Sequence, residues 1–441
     1  MMSDIFHPDF KSTPFWWEAA PPTDEGSAPL PADTEVAIIG SGYTGLNCAL
    51  ELARRGIGAT VIEAERFGEG ASTRNGGHAS GGVNLGKPPA GTKESPLIAR
   101  LGRARYDALL REAAEAFDRL QMVIERENIA CHFTKSGRFV AACTRAQYRD
   151  LERKAGGLDP SGKAAIRLLP EDRQHEEIDS PFYRGGMVVE GAAQLHPGLY
   201  HRGLLDACRR HGVTLCAHTR VHAVARAGER FRLSTSAGEI TAGAVLRATN
   251  GYTGAESGWL RRRLIPLGSY IIVTEEIGAE RARALIPNLR TINDSKRVLS
   301  YFRIAPGGTR VMFGGREAFS PVTAQQSARL LHRTMLRVFP QLEGVRVTHS
   351  WTGNVAFTFD YMPHVGQQDG VYYAAGCNGS GVVMMSYLGY RAALLMARAN
   401  QASAFDDIDM PTMPGYTGTP WFTPILGRYY RFRDALDRWL D

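Results

Sequence analysis

Two rhythms of apolar and polar positions divide this chain. Near its start, Val36-Ala37-Ile38-Ile39-Gly40 is a short apolar run closed by glycine, the pattern of a parallel strand buried on both faces. Gly40-Ser41-Gly42-Tyr43-Thr44-Gly45 follows at once, and Leu46, Ala49, Leu50 and Ala53 then recur at helical spacing up to Arg54-Arg55-Gly56. A second apolar run, Ala59-Thr60-Val61-Ile62, ends in Glu63. The pattern predicts one βαβ unit. Downstream, Leu109, Ala113, Phe117, Leu120 and Ile124 mark a long amphipathic helix within 96–127, and a second helical pattern runs over 199–210. Short strands are predicted at 213–216, 221–224 and 231–235. From Leu264 the rhythm becomes that of strands, over 264–274, 298–304 and 309–313, with Pro306-Gly307-Gly308 as a hairpin-like turn between the last two.

The βαβ unit carries chemistry. Gly40 permits the tight turn, Gly42 lets backbone approach a pyrophosphate, and Gly45 lets helix and strand pack closely. The helix start at Tyr43 and Thr44 offers free N–H groups and a partial positive charge to phosphates. Glu63 stands where a carboxylate accepts ribose hydroxyls, which disfavours a 2′-phosphate. A second glycine-rich loop follows, Glu63-Ala64-Glu65-Arg66-Phe67-Gly68-Glu69-Gly70-Ala71-Ser72-Thr73-Arg74-Asn75-Gly76-Gly77-His78. A nicotinamide cofactor has little use for such a loop, whereas FAD extends past the first one, so FAD is the expected cofactor.

The second loop resembles the G-A-S-x-R-N-G-G-like segment of the glycine oxidase/D-amino acid oxidase superfamily. Val245-Leu246-Arg247-Ala248-Thr249-Asn250-Gly251-Tyr252 is similar to the strand that closes the FAD domain there. Trp351-Thr352-Gly353-Asn354, Thr358-Phe359-Asp360-Tyr361-Met362-Pro363 and Gly376-Cys377-Asn378-Gly379-Ser380-Gly381-Val382 resemble its flavin-clasping segment. The aromatic start Phe15-Trp16-Trp17-Glu18 and the tail Trp421-Phe422 with Tyr429-Tyr430-Arg431 are most similar to the γ-glutamylputrescine oxidase-like branch.

An α/β fold (α+β overall) is implied, with a discontinuous Rossmann-type FAD-binding domain and a substrate domain built on an antiparallel sheet. The expected FAD-binding blocks are 1–95, 185–260 and 346–441, and the substrate blocks 96–184 and 261–345. Residues 14–34 read as an extended arm. Cofactor contacts are expected from Gly40, Gly42, Tyr43, Thr44, Gly45, Glu63, Ala64, Arg66, Gly70, Ala71, Ser72, Arg74, Asn75, Gly76, Gly77 and His78. Further contacts are expected from Val221, Thr249, Gly251, Gly353, Asp360, Gly376, Asn378, Gly379, Ser380, Gly381 and Val382. Covalent flavin attachment is not expected, because Val355 and Ala356 stand where related sarcosine oxidases place a linking cysteine.

Composition changes little. The 441 residues are 44% hydrophobic and 22% charged, with a net charge of +7. The arginines are dispersed rather than massed, which argues against nucleic acid. No run approaches the roughly 20 apolar residues of a membrane span. The N-terminus lacks the pattern of a signal peptide, so a cytoplasmic location is expected. Six scattered cysteines show no metal spacing and are expected to be reduced, and no metal is expected. Gly157-Leu158-Asp159-Pro160-Ser161-Gly162-Lys163 fits G-x-x-x-x-G-K, but Ala164 replaces the Ser/Thr that would hold Mg²⁺, so it reads as a polar loop.

Candidates for chemistry come from the flavin-proximal segments and the predicted sheet. His78 follows the Asn75-Gly76-Gly77 turn and is a candidate for contact with flavin or substrate, or for an edge histidine. Ser380 departs from the family's G-H-G-V pattern. Lys296, the last lysine in the chain, lies in roughly the region where sarcosine-oxidase relatives use a lysine to promote reaction with O₂. Tyr301 and Arg303 share one face of their strand, and they or Tyr270 are candidates for the substrate pocket, with Arg303 pairing a carboxylate. Alternatively these are core or surface residues of the sheet. The expected function is oxidation of a primary or secondary amine, with O₂ as electron acceptor. The alternatives are an amine dehydrogenase with a quinone or protein acceptor, a flavin monooxygenase and a non-catalytic FAD-binding protein.

Overall fold

The computed structural model describes residues 5–81, 95–155, 165–316 and 318–441. The predicted βαβ unit forms the centre of a parallel sheet, ordered Thr214–Cys216, Ala59–Ile62, Asp33–Ile39, Gly238–Arg247, Val371–Ala375. His364–Gln368 continues it antiparallel. The first half of Gly238–Arg247 also pairs antiparallel with Arg230–Thr235, which pairs with Val221–Ala227. Strand alternation explains the layers. Ile38, Val61 and Leu246 face helices Tyr43–Arg54, Pro197–Arg210 and Gly381–Met396, while Ala37, Ile39, Ile62 and Val245 face the three-stranded meander.

A second sheet of nine strands is ordered Phe6–Lys11, Val347–Phe357, Ile265–Thr274, Val311–Gly315, Ser300–Ile304, Thr291–Asp294, Arg138–Ala141, Gly186–Val189, Ile166–Leu169. It is antiparallel except at the pairs Phe6–Lys11 with Val347–Phe357 and Thr291–Asp294 with Arg138–Ala141. Its far face packs Phe139, Phe302 and Phe313 against Phe339 and helix Ala324–Val338.

Several sequence boundaries move. The sheet takes in Phe6–Lys11, Gly186–Val189 and Val347–Phe357 from blocks expected to belong to the FAD-binding domain, because each is hydrogen-bonded into its ladder. The single helix expected over 96–127 is two, Pro96–Leu101 and Arg103–Arg126, broken where Gly102 adopts φ +81°. The arm 14–34 is anchored: Phe15–Glu18 forms one helical turn with Trp16 fully buried, and Thr23 bridges Phe67. The strand expected from 309 begins at Val311, after Gly307 and Gly308 turn the chain with φ +94° and +75°. The Gly157–Lys163 segment lies outside the described residues. All six cysteines are buried and unpaired. Among the described residues no helix is long and apolar enough to cross a membrane, and no cluster of metal-ligating side chains occurs.

Candidate cofactor and substrate cavity

A cavity of about 750 Å³ runs from the carboxyl ends of the parallel strands to the near face of the nine-stranded sheet. Its first wall is mostly backbone. Gly40 turns with φ +106°, and a side-chain carbon at Gly45 would collide with the Gly40 carbonyl oxygen. Helix Tyr43–Arg54 begins at Gly42 with no side-chain cap. The Ser41 N–H and hydroxyl both donate to Glu63 Oε2, at 2.9 and 2.7 Å, and fix that carboxylate at the cavity edge. His201, buried behind the loop, donates from Nε2 to the Ser41 carbonyl at 2.8 Å, and burial pushes its pKa down to about 4.

The second loop is held by three indoles. Trp16 donates to the Asn75 carbonyl at 2.7 Å, Trp17 to Thr73 Oγ1 at 2.9 Å, and Trp351 to the Arg74 carbonyl at 2.9 Å. Ser72 Oγ in turn accepts from the Tyr43 N–H at 3.0 Å, joining the two loops. Asn75 braces its own turn, its Oδ1 accepting from the Gly77 N–H at 2.9 Å. Only a loop this tightly pinned keeps Gly70, Ala71 and Ser72 against the first helix while Gly76 and His78 reach the sheet.

The C-terminal segment supplies another helix start. Asn378 ties Thr358 to Gly376, accepting from the Thr358 N–H at 3.0 Å and donating to the Gly376 carbonyl at 2.8 Å. Helix Gly381–Met396 then begins without a side-chain cap from Ser380, and residues 379–383 line the cavity. Two helix starts without a cap from their own leading residue therefore face one cavity, a setting for anionic groups, although the Tyr43 N–H expected to be free is taken by Ser72.

The opposite wall is made of side chains from the nine-stranded sheet: Arg138, Ser269, Asn293, Tyr301 and, just past a strand end, Arg316. The Tyr301 ring lies between Gly76 and Gly314, where side-chain carbons would strike it. Its hydroxyl shares a 2.9 Å hydrogen bond with Ser269. The His78 ring meets Tyr301 edge-on at 5.7 Å. Burial first, and then Arg303 and Arg138, push the His78 pKa down to about 3, so the imidazole is neutral. Its Nε2 is buried, and the Asn293 side chain is close enough to act on the ring, raising the pKa against those effects.

Most residues singled out in the sequence meet here: Gly40, Gly42, Tyr43, Thr44, Glu63, Ala64, the loop from Gly70 to Ser72, Arg74, Asn75, Gly76 and His78. Val221, Thr249, Gly251, Gly353 and the run Asn378–Val382 join them, and so does Tyr301. Others lie outside the lining. Gly45, Gly77 and Gly376 serve close backbone packing, each with a backbone oxygen where a side chain would go. Arg66 is exposed and pairs with Glu69. Asp360 accepts from His364 at 3.0 Å and Arg100 at 2.8 Å and braces the turn before Met362.

Three candidates for substrate chemistry fall elsewhere. Lys296 sits on the far face of the sheet, bonded to Ser300 Oγ at 2.8 Å and paired with Asp294 at 3.2 Å, and it lines a separate cavity beside Phe182. Arg303 shares Tyr301's face, yet its guanidinium is buried against backbone, donating to the Leu195 carbonyl at 2.9 Å and the Ile304 carbonyl at 3.2 Å. Tyr270 points into the far-face core, and its neighbour Ser269 reaches the cavity instead. Arg138, Asn293 and Arg316 were missed by sequence reasoning. Arg138 and Asn293 lie on paired strands far apart in sequence. For Arg316 a local signal existed: Gly314-Gly315 inside a strand marks a close approach, here of the Tyr301 ring.

The glycine turns, the two uncapped helix starts and a single cavity spanning both sheets fit FAD. A family model described as FAD dependent oxidoreductase (DAO) matches residues 35–395. The chain belongs to this family. It is an FAD-dependent oxidoreductase with the mixed α/β architecture of its group. It is 31% identical over 415 residues to gamma-glutamylputrescine oxidoreductase of Escherichia coli K12, covering 91% of this chain and 93% of that one. It is 26% identical to glycine oxidase of Geobacillus kaustophilus, over 84% of this chain and 94% of the relative. The crystal structure of that glycine oxidase superposes with a TM-score of 0.66 at 22% identity, covering 85% of this chain and 97% of the other. L-Proline dehydrogenase from P. horikoshii does so with a TM-score of 0.67 at 18% identity, over 92% and 99% of the two chains. Both likenesses show a shared fold.

Proposed function

We propose that this chain binds FAD non-covalently and oxidises a primary or secondary amine. The observation that carries the reading is the neutral His78 at the junction of the second loop and the sheet wall, lining the cavity with its ring edge-on to Tyr301 at 5.7 Å. Bound FAD would supply the acceptor for a hydride from the carbon next to nitrogen, with O₂ as the final acceptor and H₂O₂ as the product. Such a step needs the amine neutral. The neutral His78 gives the nitrogen an uncharged neighbour, while the cationic Arg138 and Arg303 beside it disfavour an ammonium. Loss of a hydride from the neutral amine's C–H leaves an iminium, which water hydrolyses to a carbonyl compound and a protonated amine. Tyr301, clasped between Gly76 and Gly314, gives the substrate a fixed surface. Val355 and Ala356 offer no thiol for attachment of the cofactor. The names of the relatives, an oxidoreductase of gamma-glutamylputrescine and a glycine oxidase, support an amine or amino acid as substrate.

A panel of amines mixed anaerobically with the holoenzyme tests this: at least one class should bleach the flavin absorbance, and a panel that leaves it unchanged overturns the reading. A second reading, a dehydrogenase using a quinone or protein acceptor, is favoured by Lys296 lying on the far face of the sheet. Stopped-flow reoxidation by O₂ separates the two. A rate no faster than that of free flavin supports the dehydrogenase.

A further inference from the structure

The two walls of the cavity carry opposite charge patterns. Four carboxylates line it, Glu63, Glu65, Glu69 and Glu256. The first three belong to the stretch from the second parallel strand into the second loop, where Glu65 pairs with Arg220 at 2.6 Å and Glu69 with Arg74 at 3.6 Å. Glu256 accepts from the Gly254 N–H at 2.9 Å, in a turn packed beside strand Val221–Ala227. The wall formed by the nine-stranded sheet has no carboxylate among its described lining residues and two arginines, Arg138 and Arg316.

Neither arginine has an ion pair among the described residues. Arg138 donates one hydrogen bond, to Ser80 Oγ at 3.2 Å, and its Nε is buried and unpartnered. Arg316 makes no hydrogen bond to a described residue; its guanidinium rests on the Phe357 ring at 4.4 Å. Each lies beside one ring of the His78–Tyr301 pair. Arg138 acts electrostatically on His78, and Arg316 on Tyr301, the two rings lying 5.7 Å apart. Desolvated guanidinium groups without an ion-pair partner are costly unless an anion meets them, and planar carboxylates match their N–H geometry.

We propose that the substrate is an amine carrying two carboxylates, one met by Arg316 and the other by Arg138, with the nitrogen between them beside His78. The inference rests on amine oxidation at this site and narrows its substrate to an amino dicarboxylate or an N-(carboxyalkyl) amino acid. A free diamine would place a cation against two unpaired cations.

Two measurements on the holoenzyme test it. In the first, malonate, succinate, glutarate and propionate are titrated while the flavin spectrum is followed. A dicarboxylate should bind about tenfold or more tighter than propionate, and Arg138→Gln and Arg316→Gln should each lose about tenfold or more of that affinity while retaining FAD. Arg138→Lys and Arg316→Lys should keep part of it. In the second, iminodiacetate, sarcosine and dimethylamine, which differ only in carboxylate number, are compared as reductants of the flavin, and the order should follow that number. Dicarboxylates binding no tighter than propionate, unchanged affinity in both Gln variants, or fastest reduction by dimethylamine overturns the proposal and leaves amine oxidation standing. Tight, arginine-dependent dicarboxylate binding with no amine reducing the flavin upholds the anion site and overturns amine oxidation instead. Loss of FAD from Arg316→Gln assigns Arg316 to the cofactor and also overturns the proposal.

Discussion

The two walls of the cavity are built on different principles. The wall above the parallel sheet uses backbone: positive-φ glycines, uncapped helix starts and loops pinned from behind by indoles. The wall on the nine-stranded sheet uses side chains raised from alternate strand positions, such as Asn293, Tyr301 and Arg138. A backbone wall tolerates little change in its glycines and recognises what every FAD shares. A side-chain wall can be rewritten residue by residue without disturbing the sheet, and the proposed function assigns the choice of substrate to it.

Breaking the first wall should have the largest effect. A side-chain carbon at Gly45 would meet the Gly40 carbonyl oxygen, and both atoms belong to the tight turn that shapes the first loop. Gly45→Val is expected to abolish FAD retention, read from flavin absorbance after gel filtration, and to lower the yield of folded protein. Ser269→Ala on the other wall removes only the hydroxyl bonded to Tyr301. It should keep FAD and change the dependence of flavin reduction on substrate concentration. Equal loss of cofactor in both variants would end the distinction between the walls.

This division also explains what could be read in advance. The first wall is local: G-x-G-x-x-G, Glu63 and the Gly70–Gly77 stretch are contiguous, and each glycine reports a turn or a close approach. The segment Gly376–Val382 was visible for the same reason. The second wall depends on register between distant strands, as where Thr291 pairs with Arg138. Ser269 and Tyr270 show how fine that dependence is, since a one-residue step exchanges cavity for core. The tryptophans at 16 and 351 were seen as family markers, but their indole hydrogen bonds to one loop depend on the completed fold.

Lys296 sharpens the comparison from behind the second wall. Its ammonium pairs with Asp294 at 3.2 Å, the two side chains being 14% and 0% exposed. Lys296→Met leaves a buried carboxylate that has lost its paired cation, which costs about 3–5 kcal/mol. Urea unfolding should show that loss, and the double variant with Asp294→Asn should recover most of it. Reoxidation of the reduced holoenzyme by O₂ should be unchanged, because the lysine faces away from the cavity. A reoxidation rate that drops with the lysine would return it to the reaction and blur the line between the faces of the sheet.

A pH dependence of stability that arises mainly along the backbone wall tests the comparison from another side. Burial pushes His201 down to about 4, and burial with His132 pushes His196 down to about 4, from an ordinary 6.5. His201 donates to the loop at Ser41, and His196 Nδ1 accepts from the Leu199 N–H at 3.1 Å at the start of its helix. His78, lowered to about 3, stands where the walls meet. Below about pH 6.5 the unfolded chain binds protons at these positions and the folded chain does not, so stability falls as pH falls and is level above that value. The carboxylates held low act later. Against burial, Arg54 lowers Glu127 from 4.5, and against burial His364 and Arg100 lower Asp360 from 3.8. The interval between about pH 6.5 and 4.5 therefore reports the histidines, and Tm should decline through it with a slope that His201→Gln reduces. A Tm flat to pH 4.5 in the parent protein would mean that these rings take up protons while folded, and that the loop at Ser41 is held by something other than a neutral imidazole.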